Sequence, residues 1–208
     1  TAAVVTAAVG AATAAAAGID GGRAITIAGD ATKAADMATA VDATLQRYGR
    51  IDALINCVGT NIRERALTAL DSEGWHFVIE ANLTAGFNLT QAVLPAFRRQ
   101  ADGLIVHVAS SAAKKPDVSG AAYQAAKAGI VGLAHATMEE ERANGIRVSV
   151  VFPGLTNTPL VEKRPTPVPP EVMAKAMQPE DVAQVCLGLV LLPARAYIPE
   201  LLLYPSQL

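Results

Sequence analysis

Two cysteines, Cys57 and Cys186, are all that 208 residues contain. That is too few for a disulfide scaffold, and their spacing does not suit a zinc site. The expected setting is therefore reducing and cytoplasmic. Aromatic residues make up only 4% and charged residues 17%, against 51% hydrophobic, a balance that excludes a disordered chain and fits a globular one. Neither sign of charge dominates. The formal net charge is −2, acids and bases are interspersed, and no basic stripe exists to track a phosphate backbone, so nucleic acid is not an expected partner. Long apolar runs are also missing. Residues 1–19 carry no charge, but Ala, Thr and Gly predominate there and no basic flank precedes them. The run Val185 to Leu192 is too short to span a bilayer. No membrane association is expected, and the length suits one domain over 1–208 with a substantial core.

What the chain does have is an alternation of short apolar runs with longer helical patterns, which predicts an α/β fold on a parallel sheet. "AVVTAA" near the start reads as a first strand, and "RAITIAGD" (23–30) as a strand ending at Asp30. A helix follows, with Met37, Val41 and Leu45 at helical spacing and Gly49 as its stop. "IDALINCVG" (51–59) is a buried strand running into a glycine turn, with Cys57 as a small buried filler. Residues 71–100 are helical around Trp75, Val78, Ile79 and Leu83, with Pro95 as a bend or break. "GLIVHVASS" (103–111) is the next strand. A helix over about 119–144 follows, capped by Ser119 and stopped at Asn144-Gly145. "IRVSVVFPG" (146–154) is a strand, "RPTPVPP" (164–170) a mobile loop, 178–192 a helix with Pro179, Glu180 and Asp181 in its first turn, and 197–205 a last strand. His76, His107 and His135 show no metal-ligand spacing, and no metal site is expected.

Tyr123 and Lys127 lie four apart in a predicted helix, so both project from one face. An ammonium near a phenol favours the phenolate and draws the tyrosine pKa from about 10 toward working pH. The chain has four tyrosines and six lysines, so such a pair arises by chance often enough to carry little alone. Its setting strengthens it. Ser110 stands thirteen residues earlier, at the C-terminal end of a predicted parallel strand, where open α/β sheets bind ligands.

Five segments, "IDALINCVG", "IEANLTAGFNLTQAVLPAF", "GLIVHVASSAA…AAYQAAKAGIVGLAHA", "GIRVSVVFPGLTNTP" and "QPEDVAQ", resemble the short-chain dehydrogenase/reductase family, in its order and over about residues 22–205. The resemblance implies a doubly wound, Rossmann-like parallel sheet and an oxidoreductase that uses NAD or NADP to interconvert an alcohol and a carbonyl, with 3-oxoacyl compounds among the candidates. It implies Tyr123 as general acid/base, Lys127 as the group that holds the nicotinamide ribose and lowers the Tyr123 pKa, and Ser110 as an electrostatic partner of the reacting oxygen. Ser111 is its neighbour, but spacing and strand alternation favour Ser110. Asn82 would support a water-mediated proton relay to Lys127; a solvated helix-interior asparagine is the plain alternative. Asn56 would tie neighbouring strands, and Gly59 would let the backbone approach the adenosine ribose. Asp30 with Ala31 fits a pair that contacts adenine, and Asp30 is nearly as good an N-cap for the helix after it. Pro153 and Gly154 would pass the nicotinamide, with Thr156 or Thr158 reaching its carboxamide or the pyrophosphate. The loop from about 160 to 177 would be a substrate lid, whose Lys163 and Arg164 read first as solvated surface charges and second as contacts for an acidic substrate. The resemblance further implies a homodimer or homotetramer formed through the two long helices, with Trp75, Phe77 and Phe87 at the contact or else in the core.

One family feature is missing. The glycine-rich dinucleotide turn, Thr-Gly-x-x-x-Gly-x-Gly, is absent from "TAAVVTAAVGAATAAAAGIDGG". "AATAAAAGIDGG" looks like the end of a later helix. The rest of the turn, the first helix and the second strand, roughly thirty to forty residues of a βαβ unit, are not there. The expectation is a longer chain with a break between Thr6 and Ala17; a truncated relative that holds no dinucleotide is the alternative. The residue that would choose between NAD and NADP belongs to that stretch, so either cofactor is implied. Two other functions remain: an interaction or cofactor-sensing protein on the same fold, and a sugar-nucleotide epimerase or dehydratase, for which the chain is short.

Overall fold

In the computed structural model the described residues are the backbone of Val4–Ala8 and residues 24–208. Five parallel strands stand in the order β1 (Val4–Ala8), β2 (Ala53–Cys57), β3 (Gly103–Val108), β4 (Ile146–Pro153) and β5 (Glu200–Leu203). Five helices are described between them: α1 (Ala34–Tyr48), α2 (Ser72–Ile79), α3 (Ala85–Gln100), α4 (Ala121–Glu141) and α6 (Pro179–Val190), with a one-turn α5 (Pro170–Met173) before the last.

Side-chain alternation along the strands builds two cores. Leu54, Ile105, Val148 and Val150 turn to the face covered by α1, α3 and α4, and join Met37, Val41, Val93, Phe97, Ile130 and Ala134 there. Ala53, Ile55, Leu104, Val106 and Val151 turn to the opposite face and meet Cys186 and Leu189 of α6. Phe97, Phe152, Ile51 and Leu54 have no exposed surface, each stabilising the fold by roughly 1.5–3 kcal/mol relative to exposure. Helices on both faces of a parallel sheet bear out the expected Rossmann-like class.

Several boundaries follow the sequence closely. α1 presents Met37 and Val41 to the core and ends at Gly49. Asp71 caps α2 by accepting from the Gly74 N–H, and Gln178 with Asp181 forms a reciprocal capping box on α6.

Other expectations are corrected. Residues 24–30 are extended and mostly exposed but form no strand. Their β-branched pattern supplies propensity, yet no described strand lies on the far side of β1 to give them a ladder. Pro95 does not break α3, which runs through it to Gln100. Ser119 is not the cap of α4; that position is Gly120, and the Ser119 hydroxyl bonds the Asp117 carboxylate instead. Cys57 is exposed, not a buried filler. The helix end expected at 11–22, and all of the expected break beyond Ala8, fall outside the described residues.

Candidate active site

The sheet and α4 bring Ser110, Tyr123 and Lys127 together. β3 ends at Val108, and Ser110 follows in extended conformation, opening a 3₁₀ turn whose Ala112 N–H it accepts at 3.2 Å. Tyr123 and Lys127 occupy the first two turns of α4, both buried, with the Lys127 Nζ 5.8 Å from the Tyr123 ring centroid. The Tyr123 ring packs with Val78, Ala112 and Ala122, and Ile62, Leu70 and Leu160 border that cluster. Ser110, not Ser111, is the serine hydroxyl that acts on the phenol.

Burial pushes the Tyr123 phenol above its ordinary value. The Ser110 hydroxyl opposes this, Asp117 adds to it, and the charges of Arg65 and Arg164 oppose it. Lys127 is not among the groups that move it, so the expected lowering by Lys127 is not seen, and desolvation of the phenol is the largest influence. Lys127 itself is pushed down to about 8 by its own burial. Among the described residues its Nζ donates to the Val58 and Val108 carbonyls, at 3.4 and 3.3 Å, and no carboxylate pairs with it.

Asn82 is fully buried, so the solvated reading of it falls. It lies in a wide π-helical turn, Glu80–Thr84, between α2 and α3. Its Oδ1 accepts from the Thr60 N–H at 3.2 Å, and its Nδ2 donates to the Thr60 and Val78 carbonyls at 2.9 and 2.8 Å. Such turns are frequent at functional sites. A Cβ on Gly59 would stand 2.6 Å from Asn82 Oδ1 and 2.9 Å from Lys127 Nζ, so only glycine lets these two side chains meet over the strand end.

Asn56 ties β2 to β3, as expected. Its Oδ1 accepts from the Val58 N–H at 3.0 Å, which leaves its Nδ2 to donate to His107 Nδ1 at 3.0 Å. His107 is thereby held neutral with its proton on Nε2, facing Thr90 Oγ1 at 3.5 Å. Burial, with Lys127 adding, lowers it to about 4. An unfolded histidine takes up a proton below about 6.5, whereas the folded one resists until about 4, so stability is lost as pH falls across that window. Denaturant titrations from pH 7 to 4 are expected to show a loss of about 3 kcal/mol that a His107→Gln variant lacks. An unchanged slope in the variant would count against this account.

Asp30 and Ala31 are held away from solvent-only roles by local bonds. Asp30 Oδ1 accepts from the Thr32 N–H and hydroxyl at 3.0 and 2.7 Å, and this holds its carboxyl below the usual range. The N-cap of α1 is Lys33, so Asp30 forms a turn before the helix instead of capping it. Asn88 of α3 donates to the Ala31 and Thr32 carbonyls, both at 3.0 Å, an anchor not visible in the sequence.

Beyond β4, the Pro153–Thr158 turn is pinned on both sides. The Gly154 N–H donates to the Leu203 carbonyl at 2.8 Å, Thr156 Oγ1 donates to the Gly154 carbonyl at 3.1 Å, and Thr156 pairs with Met177. Thr158 opens a 3₁₀ turn, Pro159–Lys163. The segment after it is fastened down. Lys163 Nζ donates to Thr60 Oγ1 at 2.6 Å, Arg63 to the Glu162 carbonyl at 3.2 Å, and Arg65 to the Lys163 carbonyl. Lys163 and Arg164 are therefore not simply solvated: the first latches onto the residue that Asn82 holds, and the second is half-buried. A cavity of about 460 Å³ lies here, lined by Arg63, Thr158 and Arg164 among others; Tyr123 and Lys127 do not line it.

A buried tyrosine, a serine hydroxyl that acts on it and a buried ammonium stand at the C-terminal edge of a parallel sheet. The family model for short chain dehydrogenase matches residues 2–168. The chain belongs to the short-chain dehydrogenase family. It is 36% identical over 154 residues to a 3-oxoacyl-(acyl-carrier-protein) reductase of Thermotoga maritima, a match covering 72% of this chain and 62% of that protein. The chain thus spans less than two thirds of that relative's length. Among solved structures, a metagenomic short-chain oxidoreductase in complex with NADP is similar at 30% identity and a TM-score of 0.69, over 85% of this chain and 72% of that one. A Brucella melitensis 3-ketoacyl-(acyl-carrier-protein) reductase complexed with NADH shares the fold, with a TM-score of 0.77 at 24% identity over 87% of this chain and 77% of that one. No helix among the described residues is long and apolar enough to cross a membrane.

A nicotinamide dinucleotide fits the described half of such a site. A buried ammonium whose hydrogen bonds among the described residues are two long carbonyl approaches retains donors for the vicinal hydroxyls of a ribose. The residues that follow β1, where the family's pyrophosphate turn would begin, fall outside the described residues.

Proposed function

We propose that this family member interconverts a secondary alcohol and a ketone or aldehyde, 3-oxoacyl compounds included, with NAD or NADP. The observation that carries the reading is the buried Tyr123 with the Lys127 Nζ 5.8 Å from its ring centroid and the Ser110 hydroxyl acting on its phenol. The bound nicotinamide would give or accept the hydride. Lys127 would hold its ribose, while Pro153, Gly154, Thr156 and Thr158 line its path and Asp30, Ala31, Asn56 and Gly59 border the adenosine side.

In the reductive direction Tyr123 gives its phenolic proton to the carbonyl oxygen, and the Ser110 hydroxyl donates a hydrogen bond to the same oxygen as charge develops on it. The raised phenol keeps its proton at neutral pH, which suits reduction. The phenolate that remains is reprotonated from solvent, along a water path that Lys127 and Asn82 would border above Gly59. The 160–177 segment would act as the substrate lid. A homodimer or homotetramer contact on the long helices is supported by Phe77 and Phe87, which are about half exposed, so core packing does not account for them.

Titrating the protein with NADH and NADPH and following nicotinamide fluorescence is expected to show saturable binding of one or both. A screen of ketones, 3-oxoacyl thioesters and sugars with the bound cofactor should then show oxidation of the nicotinamide. Absence of binding by the full-length protein would defeat the enzyme reading and favour an interaction protein on the same fold.

A further inference from the structure

Four cations gather around the loop that borders Tyr123, of which Arg65 and Arg164 act on the phenol; two acids stand among them, Asp117 and Glu162, and neither forms an ion pair with them. Arg63 and Arg65 come from the loop after β2, Lys163 and Arg164 from the segment facing it. The ion pairs formed by the described residues all lie elsewhere. Arg65 is 7% exposed. Its Nε donates to the Ile62 carbonyl at 2.8 Å and its Nη2 to the Lys163 carbonyl, so Nη1 is left without a partner among the described residues. The nearest acid that acts on it, Asp117, is already engaged by the Ser119 N–H at 2.7 Å and by the Ser119 hydroxyl.

Arg65 is also held in place from behind. Gly120, at φ 89°, is the residue before α4, and a Cβ there would stand 2.6 Å from the Arg65 carbonyl oxygen. The backbone and the base of the Arg65 side chain thus pack against the start of the helix that carries Tyr123. Arg164 is half-buried, has no side-chain partner among the described residues, and lines the cavity of about 460 Å³ together with Arg63, Val161, Val168 and Met173. Leu160, beside that cavity, packs on the Tyr123 cluster. The charges of both Arg65 and Arg164 reach the phenol.

Four cations against Asp117 and Glu162 leave an excess of positive charge, unfavourable at the buried Arg65 and half-buried Arg164 unless something else supplies more negative charge. A bound anion would do so, and a planar guanidinium fork matches a carboxylate or phosphate. We propose that the substrate of this site carries an oxyanion as well as its carbonyl. Arg164 and the uncommitted Nη1 of Arg65 bind the oxyanion, and the apolar body rests on Val161, Val168 and Met173. The inference rests on the oxidoreductase reading above and names the substrate class for it.

The test uses the full chain and calorimetric binding of three probes: 3-oxobutanoate, its methyl ester and dihydroxyacetone phosphate. At least one anion is expected to bind about 10- to 100-fold more tightly than the neutral ester, as for one charge-assisted contact. The advantage should shrink with added salt and fall to about threefold or less in Arg164→Met. Arg164 is chosen because Arg65 is packed under Gly120 and its loss risks the fold. Equal binding of ester and anions, or an advantage that survives in Arg164→Met, would overturn the proposal. Anion preference with no nicotinamide oxidation would support it while defeating the oxidoreductase reading, and efficient turnover of neutral ketones alone would do the reverse.

Discussion

Tyr123→Phe is expected to lower kcat/KM for carbonyl reduction by about 10²- to 10⁴-fold while leaving cofactor affinity nearly unchanged. The substitution removes one oxygen and keeps the ring that packs against Val78, Ala112 and Ala122. The fold should lose only about 1 kcal/mol, the cost of one missing hydroxyl interaction. What disappears is the proton donor. Because burial holds the phenol above its ordinary value, the wild-type protein should reduce carbonyls well at neutral pH and oxidise alcohols faster as the solution becomes alkaline. The alkaline rise should be absent in the variant. Steady-state rates in both directions across pH, with cofactor binding by fluorescence, measure all of this. Retained activity with a retained alkaline rise would remove Tyr123 from the proton-transfer role.

The parts of this fold that the sequence makes legible are those decided by local chemistry. β2, β3 and β4 read as continuous apolar runs because they are covered on both faces, and α1 shows its core stripe at Met37 and Val41 because only one face is covered. The parts that mislead depend on a neighbour the pattern cannot name. Residues 24–30 have the composition of a strand and no described strand beside them. Cys57 sits in a buried run, yet at the strand's exposed end. The π-helical turn at Glu80–Thr84 is invisible because its residues are ordinary helix formers. Its geometry accompanies the Asn82 amide bridging Val78 of its own helix and Thr60 of a distant loop.

The site divides along the same line. Ser110, Tyr123 and Lys127 are close in sequence and lie on consecutive elements, so spacing alone can bring them together. Arg65 and Thr60 meet Lys163 across about a hundred residues of chain. No periodicity encodes such a contact, and the lysine looks like any surface charge until the loop is folded. His107 reads as a stray polar residue on a strand. Its partners, Asn56 and Thr90, come from a neighbouring strand and a covering helix, and only the assembled layers make it a link.

Lys127→Met should produce opposite changes in stability and activity. In the free protein the Lys127 ammonium is buried against two carbonyls at 3.3 and 3.4 Å, and that burial lowers it from an ordinary 10.5 to about 8. The folded state therefore gives up this proton more readily than the unfolded chain. Below about pH 8 both states carry it, and the folded protein bears the full cost of a buried charge, about 3 kcal/mol. Between about 8 and 10.5 only the unfolded chain stays protonated, so that cost fades and stability rises with pH. Methionine fills the same space without charge but leaves the Val58 and Val108 carbonyls without a donor. The net gain expected at pH 7 is about 2 kcal/mol, and the alkaline rise should flatten. Cofactor affinity and turnover should both fall, since the donors that would hold the ribose are gone. Tyr123→Phe, by contrast, should spare affinity. Denaturant curves at pH 7 and 10 for both proteins, beside nicotinamide titrations, separate the two effects. A Lys127→Met protein less stable than the wild type at pH 7 would show that the ammonium holds the fold together and is not a charge kept buried for a ligand.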